Sequence, residues 1–142
     1  MLVQFSLGLI MTALTIAIGA VAIVVGGEPL RRRRAQLSGE NHLVHHIVAI
    51  TLVASVLVIA MLLIMLLWAM LLVGLGIFPE FELALYFSMI SFTTLGFGDV
   101  ILPDEWRLLA GFIAADGFFI FGLNTAFVFE VFRRLREINM DG

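Results

Sequence analysis

The segment Thr93-Thr94-Leu95-Gly96-Phe97-Gly98-Asp99 decides the fold of this 142-residue chain. Two glycines alternate with larger residues in it, and glycine adopts positive φ at little cost. A segment of this kind can turn successive backbone carbonyls toward one axis, and the Thr94 hydroxyl adds one more oxygen at its inner end. The sequence therefore predicts an irregular strand at 94–99 whose chemistry lies in its backbone.

An apolar segment too short to cross a bilayer precedes this strand. Residues 80–93 would form a helix of roughly 21 Å, whereas the hydrocarbon core of a bilayer is about 30 Å thick. Glu80 and Glu82 lie in its first turn, where carboxylates complement the positive end of a helix dipole. Irregular backbone survives at membrane depth only where it is buried in protein or faces water. We therefore expect a re-entrant pore helix at 80–93 and a strand enclosed by an oligomer.

Long apolar segments lie on both sides of this unit. The first of them, from residue 1, is long enough to span a bilayer, although its small residues also suit an interfacial helix. Gly26, Gly27 and Pro29 are expected to end it. The predicted elements are an N-terminal transmembrane or interfacial helix at 1–27, a cytoplasmic basic and histidine-containing linker at 28–46, a pore domain at 47–134 with its outer helix at 47–75 and its inner helix at 104–134, and a short cytoplasmic tail at 135–142.

The composition points to a membrane protein. Hydrophobic residues make up 62% of the chain and charged residues 13%, whereas soluble domains have about half and about a quarter. The absence of cysteine excludes disulfides and thiolate chemistry. There is no cluster of metal-binding carboxylates and no glycine-rich phosphate loop. We therefore expect neither an enzyme nor a nucleic-acid-binding protein, and no cofactor.

The arginines predict the orientation of the chain in the membrane. Seven of the eight lie at the ends of the apolar segments opposite the Thr93–Asp99 segment. The positive-inside rule then places that segment outside and the C-terminus in the cytoplasm of a cell or inner membrane. The run Arg31, Arg32, Arg33 and Arg34 points in all directions around a helix, unlike a voltage sensor. It is a topological anchor, a contact for anionic lipid headgroups, or both.

Three histidines open the second long apolar segment. His42 is three and four residues before His45 and His46, so the three share one helical face. Imidazoles titrate near physiological pH, which would suit a sensor of cytoplasmic protons, and two of them at this spacing could also hold a metal. Histidines at a membrane boundary are also common without either role, and the three alternatives stay open.

The residues Thr94 to Asp99 match without a gap the signature Thr-x-Gly-(Tyr or Phe)-Gly-Asp of the potassium-channel pore family, and the chain resembles that family over about residues 44–134. The resemblance implies an all-α membrane protein with a potassium-channel-like pore unit of outer helix, pore helix, filter strand and inner helix, preceded here by one N-terminal transmembrane helix. It also implies a four-fold symmetric homotetramer that conducts K+ passively. Four filter strands would replace the hydration shell of the ion with rings of carbonyl oxygens.

The same resemblance assigns roles around the strand. The ion ligands would be the carbonyls of Thr94, Leu95, Gly96 and Phe97 with the Thr94 hydroxyl, and Gly98 completes the ion-binding segment. Asp99 resembles the acid at the outer mouth, and Tyr86 occupies the position of its hydrogen-bond donor on the pore helix. Leu95 and Phe97 replace the commoner Val or Ile and Tyr.

The inner helix contains the candidates for hinge, cavity and gate. Gly117 resembles the family's hinge, although glycines in membrane helices are as often packing residues. Asp116 is costly at membrane depth, by about 2.5 to 3.5 kcal/mol, and should face the cavity or be satisfied by a neighbour such as Asn124. Cavity or gate positions are expected at Phe118, Phe121, Thr125 and Phe129, with lipid-facing or packing aromatics as the alternative.

The function that these observations favour is a subunit of a potassium-selective channel. The alternatives are a weakly selective cation channel and a non-conducting regulatory membrane subunit. A potassium transporter subunit is disfavoured, because the pore loops of such proteins keep only the first glycine of the signature.

Overall fold

The computed structural model describes residues 1–32 and 42–140, and all regular structure in these ranges is helical. This confirms the predicted all-α fold class. The elements are α1 (Leu2–Arg32), α2 (His42–Gly74), α3 (Phe81–Phe92), a 3-10 turn (Asp104–Trp106) and α4 (Arg107–Met140).

Three of the helices are long and apolar enough to cross a membrane. The qualifying stretches are Leu2–Glu28, His46–Gly74 and Asp104–Arg134. The α3 helix is apolar but has only 12 residues, about 18 Å. The order of long, short and long helix from α2 to α4 is therefore the one expected of a re-entrant pore unit.

Several helix ends differ from the predicted boundaries. The α1 helix continues through Gly26, Gly27 and Pro29 to Arg32, and the two glycines face the ring of Phe127. A Cβ on Gly26 would lie 3.5 Å from that ring, and one on Gly27 would lie 3.7 Å from it. These are ordinary van der Waals distances, so α1 packs against Phe127 at these positions and the glycines do not end the helix. Pro29 removes a single backbone hydrogen bond near the helix end. The α4 helix likewise continues to Met140 rather than ending at residue 134.

The end of α2 is set by a glycine in the left-handed region. Gly76 has φ +69°, and its N–H donates to the Val73 carbonyl at 2.8 Å while the N–H of Ile77 donates to the Leu72 carbonyl at 3.0 Å. This pair of bonds is a Schellman motif, which satisfies carbonyls that a helix end leaves free. The chain then turns back into α3.

The helices pack as one unit in which α1 and α3 each lie against both α2 and α4. The larger apolar cluster joins all four helices and contains Trp68, Phe92 and Ile113, each fully buried. Contacts between α1 and α4 are close because α1 presents small residues to α4. A Cβ on Gly19 would lie 2.8 Å from Ile120, and one on Gly8 would overlap the Phe112 ring. In a membrane, close van der Waals contact of this kind is what holds helices together.

Candidate functional site

The segment after α3 is held against the end of that helix by backbone hydrogen bonds. The N–H of Thr94 donates to the Ser91 carbonyl at 3.0 Å, and the N–H of Gly96 donates to the Ile90 carbonyl at 3.1 Å. The Thr93 hydroxyl donates to the Met89 carbonyl at 2.7 Å. The carbonyls that α3 leaves free at its C-terminus thus become the anchors of the Thr93–Asp99 segment.

The backbone of this segment alternates in the sign of φ. Thr94, Gly96 and Gly98 have φ of +59°, +50° and +78°, whereas Leu95 and Phe97 between them are not among the positive-φ residues. A regular β-strand points successive residues to opposite sides, and alternation of the sign of φ brings successive carbonyls toward the same side instead. A positive φ at Thr94 is strained, since its Cβ meets the following carbonyl. The segment can therefore offer a row of backbone oxygens to a cation.

The side chains of Tyr86 and Asp99 meet at the C-terminal end of the segment. The Tyr86 phenol donates a 2.6 Å hydrogen bond to Asp99 Oδ2, which is the bond expected from the sequence. Hydrogen bonding to the carboxylate raises the pKa of the Tyr86 phenol above its ordinary value of 10, and desolvation and the negative charge of Asp99 act in the same direction. The bond ties the end of the segment to the middle of α3.

Large apolar side chains of the segment are exposed in the single chain. Leu95 is 60% exposed, Phe97 67% and Ile101 69%. Behind the segment lies an apolar cavity of about 390 Å³ between α3 and α4, with Gly96, Gly98 and Ile90 in its lining. An apolar surface of this extent is typical of a contact with another protein chain or with a membrane.

The predicted cavity or gate residues share an exposed face of α4. Phe118 is 78% exposed and Phe129 70%. Phe121 is less exposed because its ring packs against that of Phe92, with 6.0 Å between ring centroids. The Thr125 hydroxyl donates to the Phe121 carbonyl at 2.8 Å. None of these four side chains is buried in the described single chain.

Asp116 does not face this surface, which corrects the expectation that it lines the cavity. Its side chain is 2% exposed and contacts α1 and α2. Its Oδ2 accepts a 2.8 Å hydrogen bond from the Thr15 hydroxyl and a 3.1 Å hydrogen bond from the Trp68 indole N–H. Asp116 is therefore a satisfied buried acid, but its partners are Thr15 and Trp68 rather than Asn124. Nothing in the sequence indicates this pairing beyond the polarity of the three side chains in apolar helices.

Gly117, the hinge candidate, is in close contact with the end of α3. A Cβ at this position would lie 1.7 Å from the carbonyl oxygen of Phe92, so a side chain of any kind would displace one helix from the other. The α4 helix is continuous through Gly117 and Gly122. Packing against α3 is thus one requirement for glycine at 117, and the hinge role stays a prediction.

The remaining predicted site residues are the Arg31–Arg34 run and the three histidines. Arg33 and Arg34 lie outside the described residues, as do the side chains of Arg31, Arg32, His42 and His45. His46 is partly buried, and its Nε2 has no hydrogen-bond partner among the described residues. The described residues contain no group of three or more His, Asp or Glu side chains that could hold a metal ion.

Comparison with known proteins identifies the region that contains this site. Residues 50–134, more than half of the chain, match the profile of a family described as ion channel. No curated protein and no solved structure gave a significant match. The matched region begins in α2, includes α3 and the Thr93–Asp99 segment, and ends in α4.

Proposed function

Because this chain belongs to the ion-channel family of two-helix, potassium-channel-like pores, we propose that it is a subunit of a homotetrameric channel that conducts K+ passively across the cell membrane. The observation that carries this proposal is the alternation of φ over residues 94–98. Such an alternation would turn the carbonyls of Thr94, Leu95, Gly96 and Phe97 toward one side, and rings of such carbonyls replace the hydration shell of K+.

The exposed side chains of the filter segment support a tetramer. Leu95 and Phe97 project from the strand as large apolar groups that a single chain leaves uncovered. Irregular backbone at membrane depth needs protein around it. Four copies around an axis would enclose the strand, direct its carbonyls inward and cover these side chains with neighbouring subunits.

The orientation that we propose follows from the arginines. The filter lies on the outer side, while Arg31–Arg34 and the C-terminus lie in the cytoplasm. Contact between the Arg31–Arg34 run and anionic lipid headgroups is part of the proposal, since basic segments next to a membrane attract such lipids. The exposed face of α4 with Phe118, Thr125 and Phe129 would line the cavity and form a hydrophobic gate.

The experiment that tests the proposal measures ion flux into liposomes that contain only this purified chain. K+ and Na+ fluxes are compared in parallel, and Gly96→Ala serves as the inactive variant. Gly96 has φ +50° with open space around its Cβ position, so alanine there strains the backbone without a clash. Gly76→Ala is the matched control, because Gly76 also has positive φ and open space but lies outside the filter.

A K+ flux that far exceeds the Na+ flux, disappears in Gly96→Ala and persists in Gly76→Ala is the expected result. Equal K+ and Na+ fluxes would replace the proposal with a weakly selective cation channel. If no cation flux is found at any pH or lipid composition, the regulatory-subunit alternative takes its place.

A further inference from the structure

A buried polar cluster connects the N-terminal helix to the pore unit at membrane depth. It consists of Thr15 on α1, Trp68 on α2 and Asp116 on α4, and each of the three side chains is at most 2% exposed. The two donors converge on a single oxygen, Asp116 Oδ2, at 2.8 and 3.1 Å. We refer to these three residues as the Asp116 joint.

The two hydrogen-bond donors to Asp116 in this joint, the Thr15 hydroxyl and the Trp68 indole N–H, are both neutral. Asp116 is the only ionisable side chain in the apolar parts of the three long helices. These parts are Leu2 to Gly27, Ile47 to Gly74 and Leu108 to Phe129. A carboxyl group buried at this depth without a cationic partner is costly unless hydrogen bonds satisfy it. Any movement of α4 away from α1 and α2 would therefore leave Asp116 without its donors.

If α4 moved away from α1, the side chain on α4 would lose its hydrogen bond, but the side chain on α1 would not. The Thr15 hydroxyl has one hydrogen and two acceptors in reach, the Thr12 carbonyl at 2.9 Å and Asp116 Oδ2 at 2.8 Å. If α4 moved away, Thr15 would keep a hydrogen bond within its own helix. Asp116 has no such alternative on α1, so the joint holds α4 in place.

The residue next to Asp116 on α4 contacts the structure that supports the filter. Gly117 lies against the carbonyl of Phe92, the last residue of α3. The two residues before Phe92 accept the hydrogen bonds that anchor the filter, from Thr94 and Gly96. Consecutive residues of α4 thus connect on one side to α1 and on the other to the end of the pore helix.

We propose that Thr15, Trp68 and Asp116 are positioning residues for the filter, through which α1 holds α4 against the end of α3 and thereby preserves ion selectivity. The inference rests on the proposed function, since it needs a filter that discriminates between ions. It assigns a role in ion selectivity to the N-terminal helix, which lies outside residues 50–134, the region that matches the family.

The test compares the ratio of K+ to Na+ flux in Thr15→Val and Thr12→Val. Valine replaces threonine with little change in shape but without the hydroxyl. Thr12 is the matched control, because it lies one turn earlier on α1 and its buried hydroxyl has no hydrogen-bond partner among the described residues. We expect Thr15→Val to lower the flux ratio by about threefold to tenfold, and Thr12→Val to leave it unchanged. A purely structural role would lower the amount of reconstituted channel but not the ratio.

Asp116→Leu, which removes the acceptor, and the double variant Thr15→Val/Asp116→Leu complete the test. If both residues act through one hydrogen bond, the double variant loses no more selectivity than the more affected single variant. If the wild-type channel selects K+ and both Thr15→Val and Thr12→Val have the same flux ratio as wild type, the inference is overturned. The proposed function would then remain intact. A wild-type chain without K+ selectivity would instead reject the proposed function itself.

Discussion

The phenol of Tyr86 and the carboxylate of Asp99 are joined by a 2.6 Å hydrogen bond, which fixes the Asp99 end of the Thr93–Asp99 segment to the middle of α3. The anchors at its other end are backbone bonds from Thr94 and Gly96 and the bond from the Thr93 hydroxyl to the Met89 carbonyl. The segment is therefore held at both ends, and the attachment at Asp99 is made by side chains alone.

The Tyr86–Asp99 bond predicts an unusual titration of the phenol. Tyr86 is the only tyrosine in the chain, so the ultraviolet absorbance of phenolate reports this residue alone. Its pKa is raised by the hydrogen bond to Asp99. The stabilisation from this bond is thus present below pH 10 and is lost as the pH rises through the higher pKa of the folded state. Asp99→Asn should move the absorbance transition to lower pH.

The control for this titration is Asp104→Asn. Asp104 is also an exposed acid near the outer end of the helices, but it pairs with Arg107 and not with Tyr86. Its substitution should leave the phenolate transition in place. Identical transitions in wild type and Asp99→Asn would show that the bond does not form in the assembled protein.

The order of elements could be predicted from the sequence because the helices follow from long apolar runs. The Tyr86–Asp99 hydrogen bond could be predicted because the resemblance to the potassium-channel pore family implied it. The helix ends were less predictable. Gly26 and Gly27 could end α1 or lie within it, and the packing of this part of α1 against Phe127 on another helix is not encoded locally.

A second prediction concerns Gly117 and the end of α3. In Gly117→Ala the new Cβ would overlap the Phe92 carbonyl, and relief requires α4 to move away from α3. We expect a loss of stability of about 1 to 3 kcal/mol, together with loss of selective K+ flux. Thermal unfolding in detergent and liposome flux measure the two effects.

Gly122→Ala separates this contact from a general need for glycine in α4. No atom of the described chain lies within 4 Å of a Cβ at Gly122. Alanine there should be neutral, or stabilising by about 0.5 to 1 kcal/mol through its higher helix propensity. If the two variants behaved alike, the contact with Phe92 would not be the reason for glycine at 117.

Like the helix ends, the environment of Asp116 could not be predicted, because it depends on contacts between different helices. Thr15, Trp68 and Asp116 are separated by 48 residues or more, and nothing in the spacing along the chain indicates that α1 lies between α2 and α4. A tryptophan such as Trp68 in an apolar helix is typical of packing or of the membrane interface. Its indole N–H instead donates to the buried Asp116 carboxyl. This bond could be predicted only from the arrangement of the helices.

A third prediction tests whether cytoplasmic protons control conduction. His42, His45 and His46 share one helical face by their spacing, and imidazole changes charge between about pH 5 and 8. Replacement of all three by Gln should shift or flatten the pH dependence of K+ flux when the cytoplasmic side is titrated. An unchanged titration would exclude the histidines as the sensor. Titration of the outer side alone is the control, since the histidines would not be reached from there.

The fourth prediction concerns a second polar contact between α1 and α4, at the outer end of the helices. Gln4 is 7% exposed, and its Oε1 accepts a 3.2 Å hydrogen bond from the N–H of Leu108. This N–H is in the first turn of α4, where backbone donors have no partner within the helix. Gln4→Leu keeps the bulk of the side chain and removes the acceptor. We expect a loss of stability of about 0.5 to 2 kcal/mol, as for removal of a helix N-cap.

Hydrogen exchange at the Leu108 amide distinguishes this loss from a general change in packing. The amide should exchange faster in Gln4→Leu than in wild type, and slowly again in Gln4→Glu, whose carboxylate restores an acceptor beside the positive end of the α4 dipole. Ser6→Ala is the local control, because the Ser6 hydroxyl is exposed and donates only to the Val3 carbonyl of its own helix. Equal exchange rates in Gln4→Leu and wild type would mean that α1 does not supply the partner of this amide, and that α1 is attached to α4 through the Asp116 joint and apolar contacts alone.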